Sequence, residues 1–247
     1  MRAASRRVVP WVLALAVLAA GATPAAAQFD RLRRAIQRAQ SGPSPEVQAL
    51  LSRIDTTRAL FDRATTLLLK STYVMESVVA TEERRQAIRR ELAAVDSLEQ
   101  RGGENRVQFD AEDRATMIEQ ATAQRQFEGR QLTRRQQKNI VCAVYNAGLA
   151  VLMDREAVQQ AQHILGEAQT AMRNIASDPV QLVYFNRLRH AVTEDLPAIV
   201  TAGPKQIRLG GAINGAYRQA RAAGQPVLVT EATARTETPR PIDINAI

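Results

Sequence analysis

The chain carries one cysteine, Cys142, in 247 residues. No intramolecular disulfide can form, so the fold must be held by its core alone. Aromatic residues are scarce: one tryptophan, Trp11, five phenylalanines and four tyrosines. Sugars and single-stranded nucleic acids stack on aromatic platforms, so this scarcity argues against both ligands. Histidine is limited to His163 and His190, and lysine to Lys70, Lys138 and Lys205. There is no Gly-rich phosphate loop following a strand, no G-x-S-x-G elbow and no C-x-x-C-H haem motif. Nothing here assembles a catalytic group or calls for a cofactor.

What is present begins with a leader. Arg2, Arg6 and Arg7 precede an apolar run from Val8 to Ala20, and Ala25-Ala26-Ala27 offers a small-residue cleavage site before Gln28. That three-part pattern predicts a secretory signal peptide over 1–27 and an exported, periplasmic or secreted, protein. Removal of its three arginines lowers the net charge from +8 to +5. An exported location also argues against a nucleic-acid partner.

The remainder predicts an all-α protein. From Glu46 to Arg101 there is neither Gly nor Pro. Val47, Leu50, Ile54, Thr57, Phe61, Ala64, Leu68, Ser71, Met75 and Val78 follow at alternating spacings of three and four, a heptad-like stripe with two polar interruptions. One unbroken helix over this run would be about 84 Å long, against a radius of gyration near ~17 Å for a compact globule of this size. The molecule is therefore elongated here, or the helix breaks; Thr65-Thr66 and Ser71-Thr72 are the expected points. Further starts are marked by Ser44-Pro45, by Asp110 with Asp113, by Thr133 with Gln136 in a capping box, and by Asp178-Pro179. Gly203-Pro204 reads as a stop and restart. These signals divide the chain into an elongated amphipathic, coiled-coil-like region over 28–131 and a compact helical bundle over 132–223. A tail over 224–247, rich in Thr, Pro, Ala and Glu, reads as disordered.

Beyond the leader, the longest uncharged stretch is Asn139 to Met153. It would cover only ~22 Å of a ~30 Å hydrocarbon layer, and Asn146 sits in its middle, so a membrane span is excluded. Apolar residues surround its axis, which predicts a buried central helix. Cys142 then becomes an inert small hydrophobe, and Asn146 needs hydrogen-bond partners within the protein.

Three patterns offer candidate sites. His163 with Glu167 and His190 with Glu194 are i,i+4 pairs, and together they would make a four-ligand metal site. Helical phase places both histidines away from their apolar stripes, which favours two solvated faces. Gly211 and Gly215 form a GxxxG, the pattern of close helix packing. Two one-sided basic clusters could contact an anionic envelope surface: Arg31, Arg33, Arg34 and Arg38, and then Arg130, Arg134, Arg135 and Lys138. The mixed run from Thr81 to Glu91 reads instead as a salt-bridged solvent face.

The function these features imply is a non-enzymatic interaction or structural protein of the cell envelope, acting by self-association or by binding another envelope protein. A metal-binding protein or metal-dependent enzyme using the His/Glu pairs, and a periplasmic chaperone-like or secretion-system component, are the alternatives.

Overall fold

The structure, a computed structural model, describes residues 44–100, 109–175, 182–220 and 238–247. The expected leader and the cluster Arg31, Arg33, Arg34 and Arg38 lie outside the described residues, as does the Asp178-Pro179 cap. The protein is all-α, and no strand occurs among the described residues.

Helix α1 spans Pro45–Val79. It opens as its sequence dictates: Ser44 accepts from the Val47 N–H at 3.3 Å, and Pro45 occupies the first turn, where its missing N–H costs nothing. The break in the long Gly- and Pro-free run falls at Ala80-Thr81, not at Thr65-Thr66 or Ser71-Thr72. Those four hydroxyls are accommodated within the helix, each donating to the carbonyl four residues earlier at 2.7–3.0 Å. Ala80 turns extended, and the Thr81 hydroxyl accepts from the Arg84 N–H to start α2, Glu82–Gln100. Helix α3, Ala111–Ala123, is capped by Asp110, which accepts from the Glu112 and Asp113 N–H groups. A turn with positive φ at Arg125 and Gly129 follows, and it carries the fully buried Phe127.

Helix α4, Arg134–Ile175, begins with the capping box: Gln136 N–H donates to Thr133 Oγ1 at 3.2 Å, and Thr133 N–H donates to Gln136 Oε1 at 3.0 Å. None of its residues from Asn139 to Asp154 is exposed, so the uncharged stretch is the hub of the bundle. Cys142 is buried within it. Helix α5, Leu182–His190, runs through a π-helical turn, Ala191–Asp195, into α6, Leu196–Ala220. The wide turn is closed by Leu196 N–H on Ala191 O, just ahead of Pro197, which has no N–H to offer a regular turn.

Helix α6 does not stop at Gly203-Pro204; Pro204 lies inside it. The reason is packing on α4. A Cβ on Gly203 would fall 2.2 Å from Val158 Cγ2, and one on Gly210 would fall 2.2 Å from Val151 Cγ2. Contact on both sides of Pro204 holds the helix continuous despite its lost backbone bond. The close approach uses Gly203 and Gly210, not Gly211 and Gly215, whose Cβ positions meet open space.

Helix α1 packs along α4, and α6 packs on both, with α3 against α6. Residues of the expected elongated region and of the expected bundle therefore share their cores. One apolar cluster joins the second half of α1 to α2, α3, the first half of α4 and the end of α6, with Leu68, Met75, Leu92, Ile118, Leu149 and Ile213 wholly buried. The other joins the first half of α1 to the second half of α4, α5 and the start of α6, around Ile54, Ile164, Leu188 and Leu196. Between them lies a polar layer made of Thr65, Asp154 and Gln206. Thr57, one of the two polar interruptions in the α1 stripe, donates to Gln160 Oε1 at 2.9 Å.

Candidate functional site

Two asparagines on α4, Asn139 and Asn146, stand seven residues apart and are 3% and 2% exposed. Two helical turns separate them, about 10.5 Å along the axis, and both face the same side. Each holds the main chain of one residue near the end of the sequence. Asn146 Nδ2 donates to Arg240 O at 2.8 Å, and Arg240 N–H donates to Asn146 Oδ1 at 2.8 Å. Asn139 Nδ2 donates to Asp243 O at 3.0 Å, and Asp243 N–H donates to Asn139 Oδ1 at 2.8 Å. Three residues of extended chain rise about 10 Å, which matches two turns of helix. The segment runs antiparallel to α4, and the two amides form the rungs of a short ladder. Leu132 and Met153, one heptad beyond on either side, cannot add a rung.

The groove lies between α2 and α4. Ile242 and Ile244 turn inward while Pro241, Asp243 and Asn245 stay exposed, a period of two. Asp243 caps a single 3-10 turn, Ile244–Ala246, by accepting from Asn245 N–H, and Ile247 is buried in the larger apolar cluster. The Arg240 guanidinium sits 3.9 Å above the centre of the Tyr145 ring. Such a contact contributes about 1–2 kcal/mol when partly desolvated. Tyr145 is itself buried, and its hydroxyl has no hydrogen-bond partner among the described residues. The expected disordered tail thus divides: residues 221–237 lie outside the described residues, and 238–247 are docked on the bundle. Docking is possible because the ladder satisfies main-chain groups that a polar, Pro-containing segment would otherwise leave to water.

The sequence-predicted site residues fall elsewhere. His163 Nδ1 lies 3.3 Å from Glu167 Oε1, and the same carboxylate is paired with Arg53. His190 Nδ1 lies 3.2 Å from Glu194 Oε1, and its Nε2 lies 3.8 Å from Asp195 Oδ2. Both histidine side chains are more than half exposed. His163, Glu167, His190 and Glu194 do not converge, and among the described residues no three His, Cys, Asp or Glu side chains come together as metal ligands. The pairs sit on the outward faces of different helices, and Arg53 occupies the Glu167 carboxylate that a cation would need.

Arg130, Arg134, Arg135 and Lys138 are all exposed around the start of α4, beside the Asn139 rung. None of the four makes an ion pair among the described residues; Arg130 donates to Gln126 O at 2.9 Å. The run from Thr81 to Glu91 is less solvated than its charge implies. Arg84 bridges Glu76 and Glu91, and Arg114 joins Glu76 from α3, so the network ties α1, α2 and α3 together. Beneath it, burial and Glu91 push the Tyr73 phenol up to about 12, which keeps it a proton donor and no use as a base.

A second buried group moved far from its ordinary value is Asp154, wholly inside the polar layer and pushed up to about 8 by burial. Its neighbour is Gln206, whose Nε2 donates to Thr65 Oγ1 at 2.8 Å while its Oε1 faces the carboxyl. The amide fits its surroundings when turned, its oxygen then accepting from Thr65 Oγ1 at 2.8 Å. Turning the amide brings Nε2 within 3.0 Å of both Asp154 oxygens, the arrangement an ionised carboxylate requires.

Sequence reasoning identified Asn146 as a buried amide in need of partners and missed Asn139, whose heptad relation to it was the available signal. No helix among the described residues is long and apolar enough to cross a membrane. Comparison with protein-family models, with curated proteins and with solved structures finds no match.

Proposed function

We propose that the chain is an exported, non-enzymatic interaction protein of the cell envelope, and that its working surface is the α2–α4 groove, which holds extended polypeptide by its main chain. One observation carries this reading: two buried amides at heptad spacing make four hydrogen bonds to the backbone of residues 94 and 104 positions away. Side chains that read main chain in this way are a means of strand-like peptide capture without a sheet edge. The leader supports export. The exposed Arg134, Arg135 and Lys138 beside the groove, which make no ion pair among the described residues, support a contact with anionic envelope surface.

The test is photo-crosslinking in the intact cells that make the protein, from a photoreactive residue placed at Lys138. The expected result is an adduct with another polypeptide, lost when Asn139→Ala and Asn146→Ala are introduced together. Adducts confined to the chain itself, or unaffected by the double substitution, would overturn the proposal.

A further inference from the structure

The groove is occupied by the chain's own residues 238–247. We infer that this segment is a displaceable resident, and that the groove receives in its place an extended segment of a different protein. That segment carries a cation at the position of Arg240 and bulkier apolar side chains at the positions of Ile242 and Ile244. The inference rests on the reading of the chain as a holder of extended polypeptide, and it adds the partner's chemistry and the means of regulation.

The rungs recognise only the N–H and C=O of two residues three apart, so they are indifferent to the side chains of the occupant. With the groove empty, the two amides now 3% and 2% exposed would exchange main-chain partners for water, and Ile247, Ile242 and Ile244 would leave apolar surface behind. Loss of the resident without replacement is therefore disfavoured, whereas exchange for an equivalent segment conserves every main-chain bond.

The resident is also an incomplete fit. A cleft of about 290 Å³ remains beside it, bounded by Leu67, Leu92 and the Asp96–Lys70–Glu99 group on one side and by the segment's own Pro239 to Ile242 on the other. Bulkier apolar side chains on an incoming segment would fill space that the isoleucines leave open. With Arg240 displaced, Asp96 and Glu99 face Lys70 alone, which favours a basic residue in its place, and the Tyr145 ring offers the cation its seat. Pro241 biases Arg240 towards the extended backbone the first rung needs, and the ladder asks for no N–H from position 239 or 241.

A second copy of this chain is a poor candidate for the occupant. Its segment has the same sequence and would gain no contact over the resident, which enjoys an effective concentration on the order of millimolar through its linkage. A different protein with better-fitting side chains has no such limit.

The experiment uses the purified full chain and fluorescein-labelled decapeptides, read by anisotropy with light scattering in parallel. One peptide has the sequence TPRPIDINAI, residues 238–247; a second carries Phe in place of Ile242; a third carries Glu in place of Arg240. The first is expected to bind weakly to the natural chain and roughly tenfold more tightly to a chain with Arg240→Ala, because the weakened resident vacates the groove more often. The Phe peptide is expected to bind more tightly than the first, and the Glu peptide to lose binding on the unmodified protein. A chain with Asn139→Ala and Asn146→Ala, checked for helicity by circular dichroism, is expected to bind none of them, and the natural chain to remain monomeric. Failure of every peptide on the Arg240→Ala chain, equal binding to the natural and double-asparagine chains, or dimerisation through exchanged segments would each overturn the inference. An envelope adduct from position 138 that persists while the peptides fail retires displacement and leaves the interaction reading standing; loss of the adduct retires that reading itself.

Discussion

Asp154 gives a pH dependence whose sign is fixed by its position. Its carboxyl is pushed up to about 8 in the folded chain, from 3.8 when free, by burial between the two apolar clusters. Between those values the folded state holds a proton that the unfolded state has released, so stability falls as pH rises through that window. The slope is about 1.4 kcal/mol per pH unit, and from pH 5 to pH 8 the loss comes to about 4 kcal/mol. The turned Gln206 amide offsets part of it by donating to the ionised carboxylate, which leaves a loss of about 2–3 kcal/mol. Asp154→Asn keeps the shape and supplies an N–H to the Gln206 oxygen without a titratable proton. Urea unfolding followed by circular dichroism at pH 5, 6, 7 and 8 is the assay. With a denaturant slope of about 2 kcal/mol/M, the natural chain should lose roughly 1 M or more in midpoint across the series, and the variant should lose at least 1 M less. The carboxylates held low by their partners, Glu83, Glu91 and Glu119, lose their contribution only as pH falls through values below their ordinary range, outside this window. Parallel midpoints for the two proteins across pH 5 to 8 would refute the account of the polar layer.

Two further outcomes follow from the packing and the ladder. Gly210→Ala should destabilise by about 1–3 kcal/mol because its Cβ meets Val151, whereas Gly211→Ala, one residue on and facing open space, should stabilise by about 0.5–1 kcal/mol; paired thermal melts compare them directly. Asn146→Ala removes both bonds of one rung, so amide exchange at Arg240 and Asp243 should accelerate by roughly tenfold to a hundredfold while exchange in α4 is unchanged, which hydrogen-exchange mass spectrometry resolves.

Much of the fold is legible in the sequence because its signals are local. Ser44-Pro45, Asp110 and the Thr133–Gln136 box each satisfy N–H groups within three residues of themselves, and all three begin helices as their chemistry requires. The uncharged stretch declares its burial by having nothing to offer water. Misreadings occur where a distant partner decides. Gly203-Pro204 reads as a stop, but α6 continues through it, packed against Val151 and Val158 on another helix. Thr65 and Ser71 read as weak points in α1, but their hydroxyls are taken up by the carbonyls of the same helix, and the weak point is Ala80-Thr81, where a cap for the next helix is available. A GxxxG predicts a close contact only if the helix turns that face towards a neighbour, and Gly211 and Gly215 face away.

The candidate site was half legible, for a reason that lies in the kind of partner it uses. A buried asparagine inside an uncharged helix announces an unmet hydrogen-bonding need, and a second one seven residues earlier places the same need on the same face. No side chain elsewhere in the sequence answers that need, because the answer is main chain, which every residue carries and none advertises. Residues 238–247 therefore read by composition alone, as a polar, Pro-containing tail, although Ile242, Ile244 and Ile247 form an apolar set within six residues. The spacing contains the missing information. Seven helical residues and three extended residues cover nearly the same distance, so amides at heptad spacing on one buried face suit a strand-like segment laid along the helix. Amides paired with a neighbouring helix have no need of that spacing. Asn139 and Asn146, with no complementary side chain between them, thus suit an extended occupant, and the main chain of Arg240 and Asp243 supplies it.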